Sequence, residues 1–256
     1  MAIHPTAIIE PGAQFGADVE IGAYAFIGAE VQLGDRCRVE HHASIVGKTE
    51  AGPDNHFFPF ASIGGVTQDL KYAAEPTYLK IGARNRFREF TTANRGTAPG
   101  AATVIGDDNL FLAYCHLAHD VRVGNHCIFS NNATLGGHVV VYDHVVIGGM
   151  TAIHQFCRIG TYAMLGGCTK IVQDAPPYFI ADGNPAKVRS LNLIGLRRHG
   201  FSNDKIREIR AAFTLLYEDG LNTTQALKRI EEECAASFEI GTLLNFVRSS
   251  ERGIIR

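Results

Sequence analysis

A chain of 256 residues, 46% hydrophobic and 20% charged with a net charge of −2, has the make-up of a globular protein with one large core or a large and a small one. That balance excludes a strongly basic nucleic-acid-binding surface, and no apolar run is long enough to span a bilayer. The N-terminus MAIHPTAIIEPGAQFG lacks the basic and apolar regions of a signal peptide, and six cysteines form no CxxC pair, so a reducing, cytoplasmic setting is expected.

The first element in chain order is a repeat that begins at Ile3. Every sixth residue from there is large and apolar with few exceptions: Ile9, Phe15, Ile21, Ile27, Leu33, Val39, Ile45, then Phe57 and Ile63. The phase resumes at Ile81 and Phe87 and runs unbroken from Ile105 to Ile171. Two places before each anchor stands a small or β-branched residue, as at Ala25, Cys37, Val121, Cys127 and Ala163. Residues i and i−2 of a strand share a face, so both rows point inward, one large and one small. Glycine often follows the anchor, as at Gly22, Gly106 and Gly136, and suits a sharp corner with unusual backbone angles. Short strands joined by tight corners and stacked into a solenoid satisfy all three rows. Cys37, Cys115, Cys127 and Cys157 then fill small inward slots rather than redox or metal sites.

Two stretches break the phase, residues 65–80 (GVTQDLKYAAEPTYLK) and residues 94–102 (NRGTAPGAA). Insertions in a solenoid become loops on one side, often the binding side. After Ile171 comes a proline-rich linker, DAPPYFIADGNPAKV, and then helical patterns. SLNLIGLRRHG is apolar on one side and ends at Gly200. Ser202 caps a helix to about Glu218, Asn222 with Gln225 forms a capping box for a third through Cys234, and a fourth covers Ile240 to Val247. The expected division is a repeat domain over 1–186 and a helical domain over 187–256.

His116, His119, His138 and His154 concentrate on neighbouring repeats. A neutral imidazole is the usual general base near pH 7, and a nearby glycine N–H can face a developing oxyanion. Acyl transfer needs that pair. Several histidines near one edge also suit zinc, as in a carbonic anhydrase built on hexapeptides, and a coenzyme A-dependent acetyltransferase or a purely structural solenoid are further alternatives.

HLAHDVRVGN (116–125), NNATLGGHV (131–139), GGMTAIHQF (148–156), TQDLKYAAEPT (67–77) and GLRRHGFS (195–202) resemble the signature segments of the UDP-N-acetylglucosamine acyltransferases that begin lipid A synthesis. The similarity runs through essentially the whole chain. It implies a left-handed parallel β-helix with a C-terminal helical domain, assembled as a homotrimer with active sites between subunits, and no cofactor or metal. Three repeats then make one coil, so His119, Gly137 and Gln155, spaced by 18, stack along one edge. The resemblance also implies transfer of a 3-hydroxyacyl chain from acyl carrier protein to the 3-OH of UDP-N-acetylglucosamine. His119 is then the general base, Asp120 its orienting neighbour, and the Gly137 N–H the oxyanion donor. Gln68, Asp69 and Lys71 bind the sugar nucleotide. Asn131, His138 and Gln155 contact substrate, with His116 and His154 lining the site. Arg197 and Arg198 hold the nucleotide phosphates, a task suited to guanidinium groups. Gly167 measures the acyl chain, and a residue this small implies a longer one, around 12 to 14 carbons. Asn94 stands where the family commonly has histidine, and the linker GNPAKVRSLN departs from the family pattern. The later enzyme of the pathway, which acylates the 2-amine, carries an extra N-terminal domain; a repeat starting at Ile3 favours the first enzyme. Residues 158–210 hold nine Lys and Arg against four acids, an expected docking surface for the acidic carrier.

Overall fold

A hexapeptide has room for a two-residue strand and one corner, so the chain turns after every repeat and three repeats close one coil. The computed structural model describes residues 1–256 and contains three parallel sheets, the three faces of a β-helix. The first face starts with Ala2–Ile3 and holds eleven strands; the second, from Ile8–Ile9, holds nine; the third, from Gln14–Phe15, holds eight. Register is strict: Ile3 pairs with Ile21, Ile9 with Ile27, and Phe15 with Leu33.

The anchors and small slots form one core along the axis. Phe57, Phe87, Phe111 and Phe129 stack on the first face with ring centroids 5.2, 4.9 and 4.7 Å apart. Beside them, in the small slots, runs a ladder of buried amides. Asn55 Oδ1 accepts from the Asn85 backbone and side chain at 2.9 and 3.0 Å, and Asn85 Oδ1 accepts from both groups of Asn109 at 3.0 Å. Asn109 Oδ1 then accepts from Cys127 N at 2.8 Å. The cysteines are all free, and burial pushes the Cys115 and Cys127 thiols up to about 12, far from a reactive state.

The glycines after the anchors answer to a different constraint from the one their position suggests. Apart from Gly64, at 80°, their φ is negative. The positive φ falls at the third residue after the anchor, usually a non-glycine such as Asp18 (55°), Arg36 (54°) or Asp120 (60°). Glycine is needed because coils pass so closely: a Cβ on Gly106 would lie 2.5 Å from the Gly124 carbonyl oxygen.

The insertions lie between strands of the second and third faces; the third-face pair keeps its register, while the second-face pair shifts register after Ile63, where Gly65 comes opposite Asn94. Strands Ser62–Gly65 and Tyr78–Ile81 bracket the first, and Thr92–Asn94 and Ala102–Ile105 the second. The proline-rich segment read above as a linker is part of the β-structure. Phe179–Asp182 and Lys187–Leu191 pair antiparallel and finish the first face, so this hairpin straddles the expected boundary at residue 186. Ser190 and Leu191 are therefore strand. Helix α1 spans Leu193–Arg198, capped by Asn192, whose side chain accepts from Gly195 N. Helices α2 (Asn203–Tyr217) and α3 (Thr223–Glu233) carry the Ser202 cap and the Asn222–Gln225 box, and α4 covers Phe238–Arg248. Leu196, Ile209, Leu216, Ile230 and Leu243 form a second core. The tail returns to the solenoid, where Ile255 joins its core and buried Asp174 accepts from Arg158 Nε at 2.9 Å and Ser250 Oγ at 2.8 Å. No helix is long and apolar enough to cross a membrane.

Candidate active site

The edge between the second and third faces gathers the residues of most chemical interest. The strand His116–Leu117 ends there, and the next residues turn the corner with Asp120 at positive φ. His119 Nδ1 lies 2.9 Å from Asp120 Oδ2, with both side chains only 12% and 11% exposed. A carboxylate can only accept, so in the neutral imidazole this contact puts the proton on Nδ1 and the lone pair on Nε2. Nε2 faces Gly137 on the next coil: a Cβ there would lie 2.5 Å from it. The Gly137 N–H donates no hydrogen bond within the chain. A lone pair and an unused N–H thus sit side by side at one edge.

The coil that carries Gly137 adds His138, whose ring lies 5.2 Å from that of His119 and whose Nε2 is 3.7 Å from Asp120 Oδ2. His138 stacks on Phe156 at 4.7 Å. Gln155 is exposed on the following coil, and a Cβ on Gly136 would lie 2.8 Å from its backbone nitrogen. His154 is exposed and turned to its own chain, with Nδ1 3.0 Å from the Gln155 carbonyl. His116 points outward from the second face, with Nδ1 2.7 Å from Thr92 Oγ1; burial, then the neighbouring His119, holds its pKa below the usual histidine value. His119, Asp120 and His138 offer ligand atoms within 4.8 Å of one another, close enough to share a metal ion. Nδ1 of His119 would have to exchange its carboxylate partner to serve.

Of the other expected residues, three lie on a loop over this same edge and the rest on other edges. Gln68, Asp69 and Lys71 sit on the loop between Gly65 and Tyr78, where Asp69 Oδ1 accepts from the Lys71 N–H at 2.9 Å. Asn131 and Gly167 belong to the opposite edge of the second face, joined through Gly149: a Cβ on Gly149 would be 3.3 Å from Asn131 O, and one on Gly167 3.4 Å from Gly149 O. Arg197 and Arg198 are exposed in the last turn of α1. Their neighbour His199 packs edge-on against Tyr162 and at a tilt against His144, on the edge between the third and first faces. One chain therefore does not bring these arginines to His119. Three basic residues of the expected docking surface are occupied: Arg158 is 18% exposed and holds Asp174, Lys205 pairs with Glu239, and Arg207 pairs with Asp204.

Sequence reasoning missed Thr67 and Thr97. Their hydroxyls meet at 2.9 Å between the two loops, and the Thr97 N–H donates to Asp120 Oδ2 at 3.1 Å. The signal available was Thr97 in NRGT, directly beside the departure at Asn94.

Residues 174–255 match the family model for domain 2 of UDP N-acetylglucosamine O-acyltransferase, and residues 102–137 match the bacterial transferase hexapeptide model of six repeats. The acyl-[acyl-carrier-protein]–UDP-N-acetylglucosamine O-acyltransferase of Paraburkholderia phymatum is 49% identical over 259 residues, 99% of each chain. The chain belongs to the UDP-N-acetylglucosamine O-acyltransferase family. It is an acyltransferase. Solved structures agree with this assignment. The Acinetobacter baumannii LpxA superposes with a TM-score of 0.96 at 43% identity over 100% of both chains. The Arabidopsis UDP-N-acetylglucosamine acyltransferase gives 0.90 at 34% identity, covering 99% of this chain and 100% of its own. The acyltransferase therefore shares its whole length, helical domain included, with relatives from bacteria and a plant.

Proposed function

We propose that this acyltransferase moves a 3-hydroxyacyl chain from acyl carrier protein to the glucosamine 3-OH of UDP-N-acetylglucosamine, the first step of lipid A synthesis, in the cytoplasm. The observation that carries the mechanism is the lone pair of His119 Nε2 facing Gly137 while Nδ1 is held by Asp120 at 2.9 Å. His119 takes the 3-OH proton as the oxygen attacks the thioester carbonyl. The C–O bond forms, and the Gly137 N–H meets the negative charge on the carbonyl oxygen. Collapse breaks the C–S bond, and protonated His119 returns its proton to the departing thiolate. Asp120 stabilises the imidazolium between the two steps. Asp69, Gln68 and Lys71 hold the sugar nucleotide, with His138 and Gln155 against the substrate, and the acyl chain runs along the second face toward Asn131 and Gly167.

Arg197 and Arg198 contact the nucleotide phosphates from a neighbouring subunit of a homotrimer. Their position on a different edge from His119 supports this, because a trimer can place the two edges against each other. The reaction needs a base and an oxyanion donor and no metal. Replacing His119 with alanine tests the reading. Turnover should fall by about 10²–10⁴-fold, the span of a lost general base, while the fold survives because residue 119 lies outside the inward rows. Near-normal turnover in folded protein would remove His119 from this role.

A further inference from the structure

The two loops that interrupt the repeat meet above the catalytic edge. Thr67 is buried at 6% exposure on the first loop, and its hydroxyl accepts from the Asp69 N–H at 3.1 Å. The same oxygen lies 2.9 Å from Thr97 Oγ1 on the second loop. Thr97 N–H in turn donates to Asp120 Oδ2 at 3.1 Å, the oxygen that also holds His119 Nδ1. Hydrogen bonds on either side of Thr97, joined by that residue's own covalent frame, therefore connect the backbone of Asp69 to the imidazole of His119.

We infer that Thr67 and Thr97 are a positioning pair that couples sugar-nucleotide binding to the orientation of the base. The inference rests on the reading of His119 and Asp69 given above. Neither threonine is among the substrate-binding residues proposed above. Their linked hydroxyls fix the first loop, and with it Asp69, at one height over the edge, and the Thr97 N–H fixes the carboxylate that orients His119. The loops are also joined where they begin, by Asn94 Nδ2 donating to Val66 O at 2.9 Å, and where they end, by Gly100 N–H donating to Pro76 O at 2.9 Å, so the Thr67–Thr97 contact is the side-chain tie that links the turn of Asp69 to the backbone holding Asp120. A nucleotide that draws Asp69 into place then also tightens the hold on Asp120.

Thr67→Val and Thr97→Val each delete one hydroxyl at nearly constant volume, and the double variant deletes the contact once. Steady-state acyl transfer with purified protein should show the KM for UDP-N-acetylglucosamine rising about 3–10-fold in each single variant, the span of one hydrogen bond, with a lower kcat. The KM for the acylated carrier should hold, and Thr97→Ser should restore both parameters. The double variant should be no worse than the more impaired single one, since both remove the same contact. An unchanged nucleotide KM, or a double variant whose defects multiply, overturns the inference. If a valine is not tolerated at position 97, Thr97→Ala removes the same hydroxyl without adding a methyl group beside polar atoms. His119→Ala, assayed in parallel, separates the two ideas. Retained turnover there defeats the base, whereas nucleotide affinity measured by calorimetry in the threonine variants judges the coupling alone.

Discussion

Replacing Gly137 with alanine separates two demands that the site places on one residue. The backbone there does not adopt positive φ, so alanine is conformationally permitted, and its N–H remains available to an oxyanion. What changes is space. The new Cβ would stand 2.5 Å from both Nε2 and Cε1 of His119, whereas ordinary contact begins at 3.4 Å. The obstacle lies at the working end of an imidazole whose other nitrogen is fixed to Asp120. The ring must therefore swing away by about 1 Å, stretching or breaking the 2.9 Å bond to the carboxylate. A displacement of that size at a reacting atom costs about 10²-fold in rate, or about 2.7 kcal/mol of transition-state stabilisation. Steady-state acyl transfer should show the loss in kcat, with the nucleotide KM nearly unchanged and a thermal midpoint close to that of the parent. A folded Gly137→Ala enzyme with parental kcat would show that the lone pair facing Gly137 is not the one that takes the proton.

Gly167 has open space around it apart from the Gly149 carbonyl, so Gly167→Met should block the second-face groove and shift preference toward shorter acyl chains; donors of graded length measure it, and an unchanged profile places the end of the groove elsewhere. Chelation followed by metal analysis should leave full activity and no stoichiometric zinc, while loss of activity restored by zinc would reassign His119, Asp120 and His138 as ligands. His144 is held below the ordinary histidine pKa by burial first, then by His199 and His126, with Asp143 opposing. The unfolded chain therefore binds the extra proton first, and its contribution to stability is present above about 6.5 and lost as pH falls below it. Melting between pH 7 and 5 should show a shallower decline in His144→Phe than in the parent, and identical slopes would assign the acid sensitivity to other groups.

The solenoid was legible because every sixth position answers to the same inward environment, so one apolar phase persists through Ile171. Ser202 and the Asn222–Gln225 pair marked helix starts because capping is local chemistry written in neighbouring residues. The hairpin at 179–191 was not legible: its strands pair with the end of a stack, and nothing in DAPPYFIADGNPAKV reports what lies beside it. The glycines were recognised but for the wrong cause, since close approach between coils is a property of residues 18 apart rather than of the local turn. The same holds at the site. His119, Asp120 and Gly137 could be gathered from a spacing of 18, but the Thr67–Thr97 contact spans 30 residues and two irregular loops, where no spacing rule applies. Arg197 and Arg198 were placed by family resemblance on the same site as His119, and the edge they occupy depends on how α1 docks.

The amide ladder bears on how such an enzyme can change. Its rungs join residues separated by 30, then 24, then 18 positions, so it crosses the very coils that the two insertions lengthen. Wherever the count of residues per coil departs from the regular repeat, a pair of buried amides on the far face states which coil must lie on which. An amide shifted out of step would be left unpaired in an apolar interior, which makes slippage expensive. Loop length is thereby uncoupled from coil alignment. Lineages and designers alike can lengthen, shorten or rewrite the loops over the catalytic edge to suit a new acceptor, while the scaffold beneath keeps its count.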